Sequence, residues 1–335
     1  MDATLRKGFL LLTATVVGSY PKLPAQAGAP NLRTALARLE RGQITAEEFQ
    51  RTEDLVTEVV IKEQVQAGVG LISDGQIRWE DGQTYFARRI GGFSINGLIR
   101  YFNNNTYFRQ PAVTGKLGWQ GPIGVRDFLF AKERSPVPVK AVITGPYTLA
   151  RLSQDQAYHN LRTLVLDLAE VLNQEAIALQ RSGATFIQFD EPAILKWKGD
   201  FALFEEACRR LTRGLTAKTA LYLYFWDIGE LYPDLFHLPF QAYGLDFVSG
   251  EANYQIVKEF PSDKELGLGI LDGRNTRLEP VEELVEGVRR MSSVVSLDRM
   301  YVSPSCGLEF LPRDRANQKL VRLVEGVKKA REALS

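Results

Sequence analysis

Eight short runs of apolar, largely β-branched and aromatic residues recur along the chain, each giving way at once to a polar or glycine-rich turn. No other feature restricts the possible folds as much. The runs cover residues 10–17 into Gly18-Ser19, 70–73 into Asp74-Gly75, 137–144 into Gly145-Pro146 and 185–189 into Asp190-Glu191. The second half continues with 220–225 into Trp226-Asp227, 245–249 into Gly250-Glu251, 266–271 into Asp272-Gly273-Arg274 and 300–303 into Pro304-Ser305-Cys306-Gly307. A strand buried on both faces reads as a continuous apolar run, and it delivers polar side chains where it ends.

Helical patterns lie between the runs. The clearest covers 154–182, where Leu161, Leu164, Val165, Leu168, Val171 and Leu172 form one apolar stripe and Gly183 supplies a stop. Others cover 46–67, 201–215, 280–297 and 313–333. Strands alternating with helices of this length predict a parallel sheet, and eight of them predict an α/β chain folded as a (β/α)8 TIM barrel, for which roughly 250 residues suffice. A doubly wound sheet is the alternative, but no Gly-x-Gly-x-x-Gly follows an early strand and no Gly-Lys-Ser/Thr phosphate loop occurs. Residues 76–136 break the rhythm. They predict an insertion after the second strand, a hairpin around an Asn103-Asn104-Asn105 turn plus a helix near 124–133, over the C-terminal face of a single barrel domain spanning 1–335.

Forty-one Lys and Arg against 40 Asp and Glu leave a net charge of +1, which gives no field to attract nucleic acid or an anionic membrane. A small molecule is therefore the expected partner. No apolar run approaches the ~20 residues of a membrane span, and the first apolar stretch, 9–17, leads into Gly18-Ser19-Tyr20-Pro21 like a strand rather than a cleavable leader. The two cysteines, Cys208 and Cys306, lie on dissimilar segments and suggest no disulfide framework, consistent with a cytoplasmic location.

The strand-end positions are Ser19, Asp74, Gln76, Thr144, Asp190, Glu191, Tyr222, Tyr224, Asp227, Glu251, Asp272, Arg274, Asn275 and Cys306. In a barrel they converge on one acidic pocket, which calls for a metal, a cation or a substrate ammonium to offset the repulsion among carboxylates. Any one of the acids could instead cap the helix that follows it. Cys306, in a turn after a strand, could ligate a soft metal, act as a thiolate nucleophile or simply be a small buried apolar group. Cys208 lies on the apolar face of a helix and is assigned to packing, while His159 and His237 stand at no metal-ligand spacing to a cysteine.

Six segments in order carry a family likeness: Val16-Val17-Gly18-Ser19-Tyr20-Pro21, Ile72-Ser73-Asp74-Gly75-Gln76, Gly145-Pro146-Tyr147-Thr148, Gln188-Phe189-Asp190-Glu191-Pro192-Ala193, Gly269-Ile270-Leu271-Asp272-Gly273-Arg274-Asn275 and Val302-Ser303-Pro304-Ser305-Cys306-Gly307-Leu308. Together they resemble the C-terminal catalytic barrel of cobalamin-independent methionine synthase, in the form of its short single-barrel relatives. The resemblance implies zinc-dependent methyl transfer to the thiol of homocysteine. It implies a metal held by a His-x-Cys pair, a Glu and a Cys; Glu251 and Cys306 match the last two, whereas Tyr222 and Tyr224 occupy the positions of the pair. It also implies that Asp190 binds the substrate amino group, that Ser19 lies in the loop receiving its carboxylate, and that Gln76 stands where the family has a Glu. The family's folate-stacking Trp has no counterpart in residues 147–152.

The expected activity is accordingly a methyltransferase moving a methyl group from a folate or corrinoid donor, with a possible methyl-donor protein as partner, to a thiol amino acid. Asp190, Glu191, Asp272 and Arg274 are the candidate catalytic residues. Ser19, Gln76, Asp190, Tyr222, Tyr224 and Asn275 are the candidate substrate-binding residues, with Glu251 and Cys306 as an incomplete zinc set. The alternatives are a zinc-independent enzyme on the same barrel, acting on a cationic or methylated substrate against a Tyr222–Tyr224 wall, and a non-catalytic small-molecule binder.

Overall fold

The computed structural model describes residues 12–24, 28–102 and 106–334. In chain order its strands are β1 (Thr13–Ala14), β2 (Ile90–Arg100), β3 (Tyr107–Trp119), β4 (Ala141–Thr144), β5 (Gln154–Asp155), β6 (Phe186–Asp190), β7 (Lys218–Leu223), β8 (Ala242–Asp246), β9 (Glu265–Leu271) and β10 (Met300–Pro304). The chain divides into two compact units: Met1–Ile77, Phe130–Val139 and Gly244–Ser335 make the first, Arg78–Leu129 and Lys140–Tyr243 the second.

In the first unit β10 lies parallel between β1 and β9, with Thr13 opposite Tyr301 and Val302 opposite Leu268. The strand predicted at 70–73 is reduced to two parallel bridges, Thr15 to Leu71 and Ile72 to Val139. Pro138 explains part of this, since it accepts from the Ile72 N–H at 3.1 Å but has no N–H to return. The strand predicted at 10–17 is confined to Thr13–Ala14; Leu10 and Leu11 lie outside the described residues. Helix Ala46–Ala67 matches its predicted bounds because both ends are encoded. Thr45 and Glu48 form a reciprocal capping box, and Gly68 closes the helix at φ 88°. The helix predicted at 280–297 is shorter, Val281–Ser292, because the Val294 and Val295 N–H groups both turn back onto the Met291 carbonyl.

In the second unit β4, β6 and β7 are parallel, and Thr144, Asp190 and Tyr222 stand level across them. Each strand is buried throughout apart from the half-buried Lys218, as continuous apolar runs require. The helix predicted from 154 begins at Leu161. Gln154–Asp155 pairs with β3 instead, and the Asp155 carboxylate turns the chain by accepting from Ala157 and Tyr158 N–H. That helix ends at Arg181, and Gly183 follows at φ 88°. The helix predicted at 201–215 stops at Leu211, ahead of Gly214 at φ 75°. The predicted hairpin is present as antiparallel β2 and β3, followed by helix Val125–Arg134; its Asn103-Asn104-Asn105 turn lies outside the described residues.

Candidate active site

The second unit holds a buried polar cluster at the end of β6. Asp190 is 8% exposed and accepts from Gln188 Nε2 at 2.7 Å and from the Tyr224 hydroxyl at 3.4 Å. Tyr222 is level with Asp190 on the neighbouring strand, and the ammonium of Lys140 lies 4.7 Å from the centre of its ring. Lys140 is 2% exposed. Burial pulls its pKa down to about 7, against the attraction of Asp190, which raises it. Sequence reasoning passed over Lys140. A signal was present, since a lysine just ahead of the all-buried β4 strand, Ala141–Thr144, must find a partner if it points inward.

Glu191, next in the chain, is wholly buried. Its carboxylate accepts from the Tyr147 and Thr148 N–H groups at 2.9 and 2.7 Å, at the open end of helix Pro146–Arg151. Burial is the largest influence on its pKa, which stands at about 7, and the hydrogen bonds pull the other way. Gly145 is required beside it, because a Cβ there would overlap the Glu191 carboxylate. Asp227 pairs with Lys198 at 3.3 Å. Tyr224, Phe225 and Trp226 stand at the exit of β7, where Phe225 adopts φ 84°, and Tyr101 and Phe102 from the β2 end of the hairpin pack edge-on against Phe225.

The first unit brings the ends of β9 and β10 together. Gly273 N–H donates to Ser305 Oγ at 3.2 Å, and a Cβ at Gly273 would lie 2.9 Å from Cys306 Sγ. Cys306 is 1% exposed, and burial together with Glu309 and Asp246 pushes its thiol well above the ordinary range, with Arg274 acting in the opposite sense. Ser19 donates its hydroxyl to the Glu309 carboxylate. Asp74 accepts from the N–H of Gln76, which is 8% exposed and held at φ 52°. Asp272 accepts from Arg274 N–H at 2.8 Å, while the Arg274 guanidinium donates to Ser249 Oγ and Asn275 caps the Arg277 N–H. Beneath them Lys319 pairs with Glu279 at 2.8 Å and donates to the Asp272 carbonyl, a buried support that the sequence pattern did not reveal.

The expected zinc set does not fit this arrangement. Glu251 has a side chain 77% exposed and turned to Arg290 at 3.8 Å, while Cys306 is 1% exposed. Among the described residues no group of three or more His, Cys, Asp or Glu is placed to hold a metal. A phenol, whose ordinary pKa is ~10, is a poor substitute for imidazole and thiolate on a metal, and Tyr222 and Tyr224 carry phenols.

An α/β chain whose parallel strands alternate with helices and end in buried acids and a thiol has the scaffold of a TIM-barrel enzyme. Comparison with known proteins identifies which kind. Residues 11–329 match the family described as "Cobalamin-independent synthase, Catalytic domain". The chain is 34% identical to the methionine synthase of Saccharolobus solfataricus over 97% of its own length and 96% of that protein's, and 35% identical to that of Sulfurisphaera tokodaii over 97% and 94%. In structure it is similar to a B12-independent methionine synthase from Shewanella sp. W3-18-1 solved with selenomethionine, with a TM-score of 0.84 and 22% identity, covering 97% of this chain and 99% of that one. The chain belongs to the cobalamin-independent methionine synthase family, and it is a methyltransferase with the family's (β/α)8 fold.

Proposed function

We propose that the protein methylates the sulfur of a thiol amino acid of the homocysteine type, with a folate or a corrinoid as the methyl donor. The observation that carries this reading is Asp190. It is a carboxylate at the end of β6, oriented by Gln188 and Tyr224 and retaining some exposure, which suits the ammonium of an amino acid. In the transfer a sulfur–methyl bond forms as the donor–methyl bond breaks, the electron pair stays with the donor, and the acceptor thiol's proton goes to the demethylated folate nitrogen or, with a corrinoid donor, to solvent. In the first unit the Arg274 guanidinium offers donors for an anionic group, with Ser19 held by the Glu309 carboxylate and Gln76, Asp272 and Asn275 shaping the neighbouring loops. No step is assigned to zinc. Buried free cysteines support a reducing, cytoplasmic setting, and among the described residues no helix is long and apolar enough to cross a membrane.

The second reading is a metal-independent member of the same scaffold acting on a cationic or methylated substrate, and the placement of Tyr222 and Tyr224 around Asp190 favours it. One experiment separates the two. Protein stripped with chelator is incubated with homocysteine and either methyltetrahydrofolate or methylcobalamin, with and without added zinc, and methionine is measured by mass spectrometry. Methionine formed with either donor supports the first reading. No methionine under any condition, including with a corrinoid protein as donor, rejects it.

A further inference from the structure

Lys140 lies directly before β4, on the edge of the parallel triplet β4–β6–β7, and is among the largest fully buried side chains of the protein. Its ammonium sits against the ring of Tyr222, the residue level with Asp190 on β7, and Asp190 is the charged group that attracts it. The phenolic and acidic groups of the helices packed on β4 within this unit are engaged elsewhere. In helix Gly82–Ala87 the one such group is Tyr85, whose hydroxyl donates to Asp127 at 2.6 Å. In helix Leu161–Arg181, Glu175 accepts from the Ile123 and Gly124 N–H groups, Asp167 from the Tyr158 hydroxyl, and Glu170 pairs with Arg213. Lys140 and Asp190 are thus buried groups of opposite charge gathered at Tyr222, and the anionic member also stands at the strand end where a ligand would meet it.

Two ammonium groups cannot both share one buried carboxylate without strong repulsion, and in a medium of low polarity the less costly outcome is that one of them loses its proton. We propose that Lys140 is the proton-linked counter-cation of Asp190: when the ammonium of an amino-acid ligand pairs with Asp190, Lys140 releases its proton to solvent and remains as a neutral amine. This rests on the reading of Asp190 as an ammonium site. The balance is simple: the lysine ammonium, the aspartate and the ligand ammonium go to the neutral amine, the aspartate–ammonium pair and one free proton. Lys140 is a positioning residue in this scheme, acting on the ligand through Asp190. The lowered affinity of Lys140 for its proton makes the exchange available near neutral pH.

The test uses the full chain and methionine, whose own groups do not titrate between pH 6 and 7. Calorimetry at pH 6.5 in two buffers of different ionisation enthalpy reads protons released per ligand bound. The expected value is about half a proton or more, falling toward zero by pH 8.5, with the affinity rising about tenfold between pH 6 and 8. Lys140→Met should bind methionine without releasing protons and without that pH dependence. If this variant does not fold, the wild-type protein still decides the matter with 4-(methylthio)butanoate, which lacks the amino group and should bind without proton release. Methionine bound with no proton released at pH 6.5, or with release persisting in Lys140→Met, overturns the role of Lys140 and leaves the ammonium site standing. No binding of methionine or homocysteine overturns both.

Discussion

The Glu191 carboxylate receives the N–H groups of Tyr147 and Thr148 at 2.9 and 2.7 Å, so that the residue after Asp190 ties the end of β6 to the first turn of helix Pro146–Arg151. Glu191→Ala leaves two buried donors unpaired and should cost about 3 kcal/mol, lowering the melting temperature by several degrees. The pH dependence has a definite sign. Burial raises the folded pKa from 4.5 to about 7, so this group's contribution is fully present below pH 4.5 and is lost as pH rises through 7. Glu191→Gln should remove that part of the slope, which thermal melts at pH 5 and pH 8 would reveal. An unchanged slope would mean that Glu191 is ionised throughout.

Asp190 and Glu191 also show where the sequence was informative. The strand ending in two carboxylates was legible, because a buried parallel strand has to be a continuous apolar run. The different roles of the two acids were not, because they depend on which side chain faces the amides of a helix that starts some 40 residues earlier in the chain. Lys140 was missed for a related reason: inside an apolar run its meaning depends on the register that sets Thr144 opposite Asp190 and Asp190 opposite Tyr222. Helix Ala46–Ala67 was read to the residue because its capping box and terminal glycine are local signals. The segment 70–73 was not, because a ladder depends on what the partner strand can return, and here that partner begins with a proline carbonyl.

Stability should also respond to Lys140 in the absence of any ligand. Burial lowers its folded pKa from 10.5 to about 7, so between those values the unfolded chain holds a proton that the folded chain does not. Stability from this group rises with pH across that window and is lost as pH falls through 7. Lys140→Met should flatten the change in denaturation midpoint between pH 6.5 and 9.5. A slope equal to that of the wild type would show that Lys140 stays protonated in the folded protein.

Both cysteines are buried and both thiols are held above their ordinary range by burial first, with Glu191 and Glu205 adding to this at Cys208 and Glu309 and Asp246 at Cys306. A thiol reacts as its thiolate. A disulfide-exchange reagent at pH 7.5 should therefore find almost no fast-reacting group in the native protein and two after denaturation. Zinc added before the reagent should leave this pattern unchanged. Tight zinc uptake that is lost in Cys306→Ser would show that the buried thiol can be drawn out to a metal after all.

Gly273 has no room for a side chain. A Cβ there would stand 2.9 Å from Cys306 Sγ and 3.0 Å from the backbone carbonyls of Cys306 and Gly307, and backbone cannot step aside as a flexible side chain can. Gly273→Ala must displace the turn after β10, the turn that carries Cys306 and Gly307. The stability cost should be about 1–3 kcal/mol, small enough to leave the protein folded at room temperature. Gly42→Ala is the control. It lies in open space at φ 67°, so it carries backbone strain without any clash near Cys306. If the turn belongs to the acceptor site, methionine binding by calorimetry should weaken at least severalfold in Gly273→Ala and stay unchanged in Gly42→Ala. Equal affinity in both would place the acceptor away from Cys306.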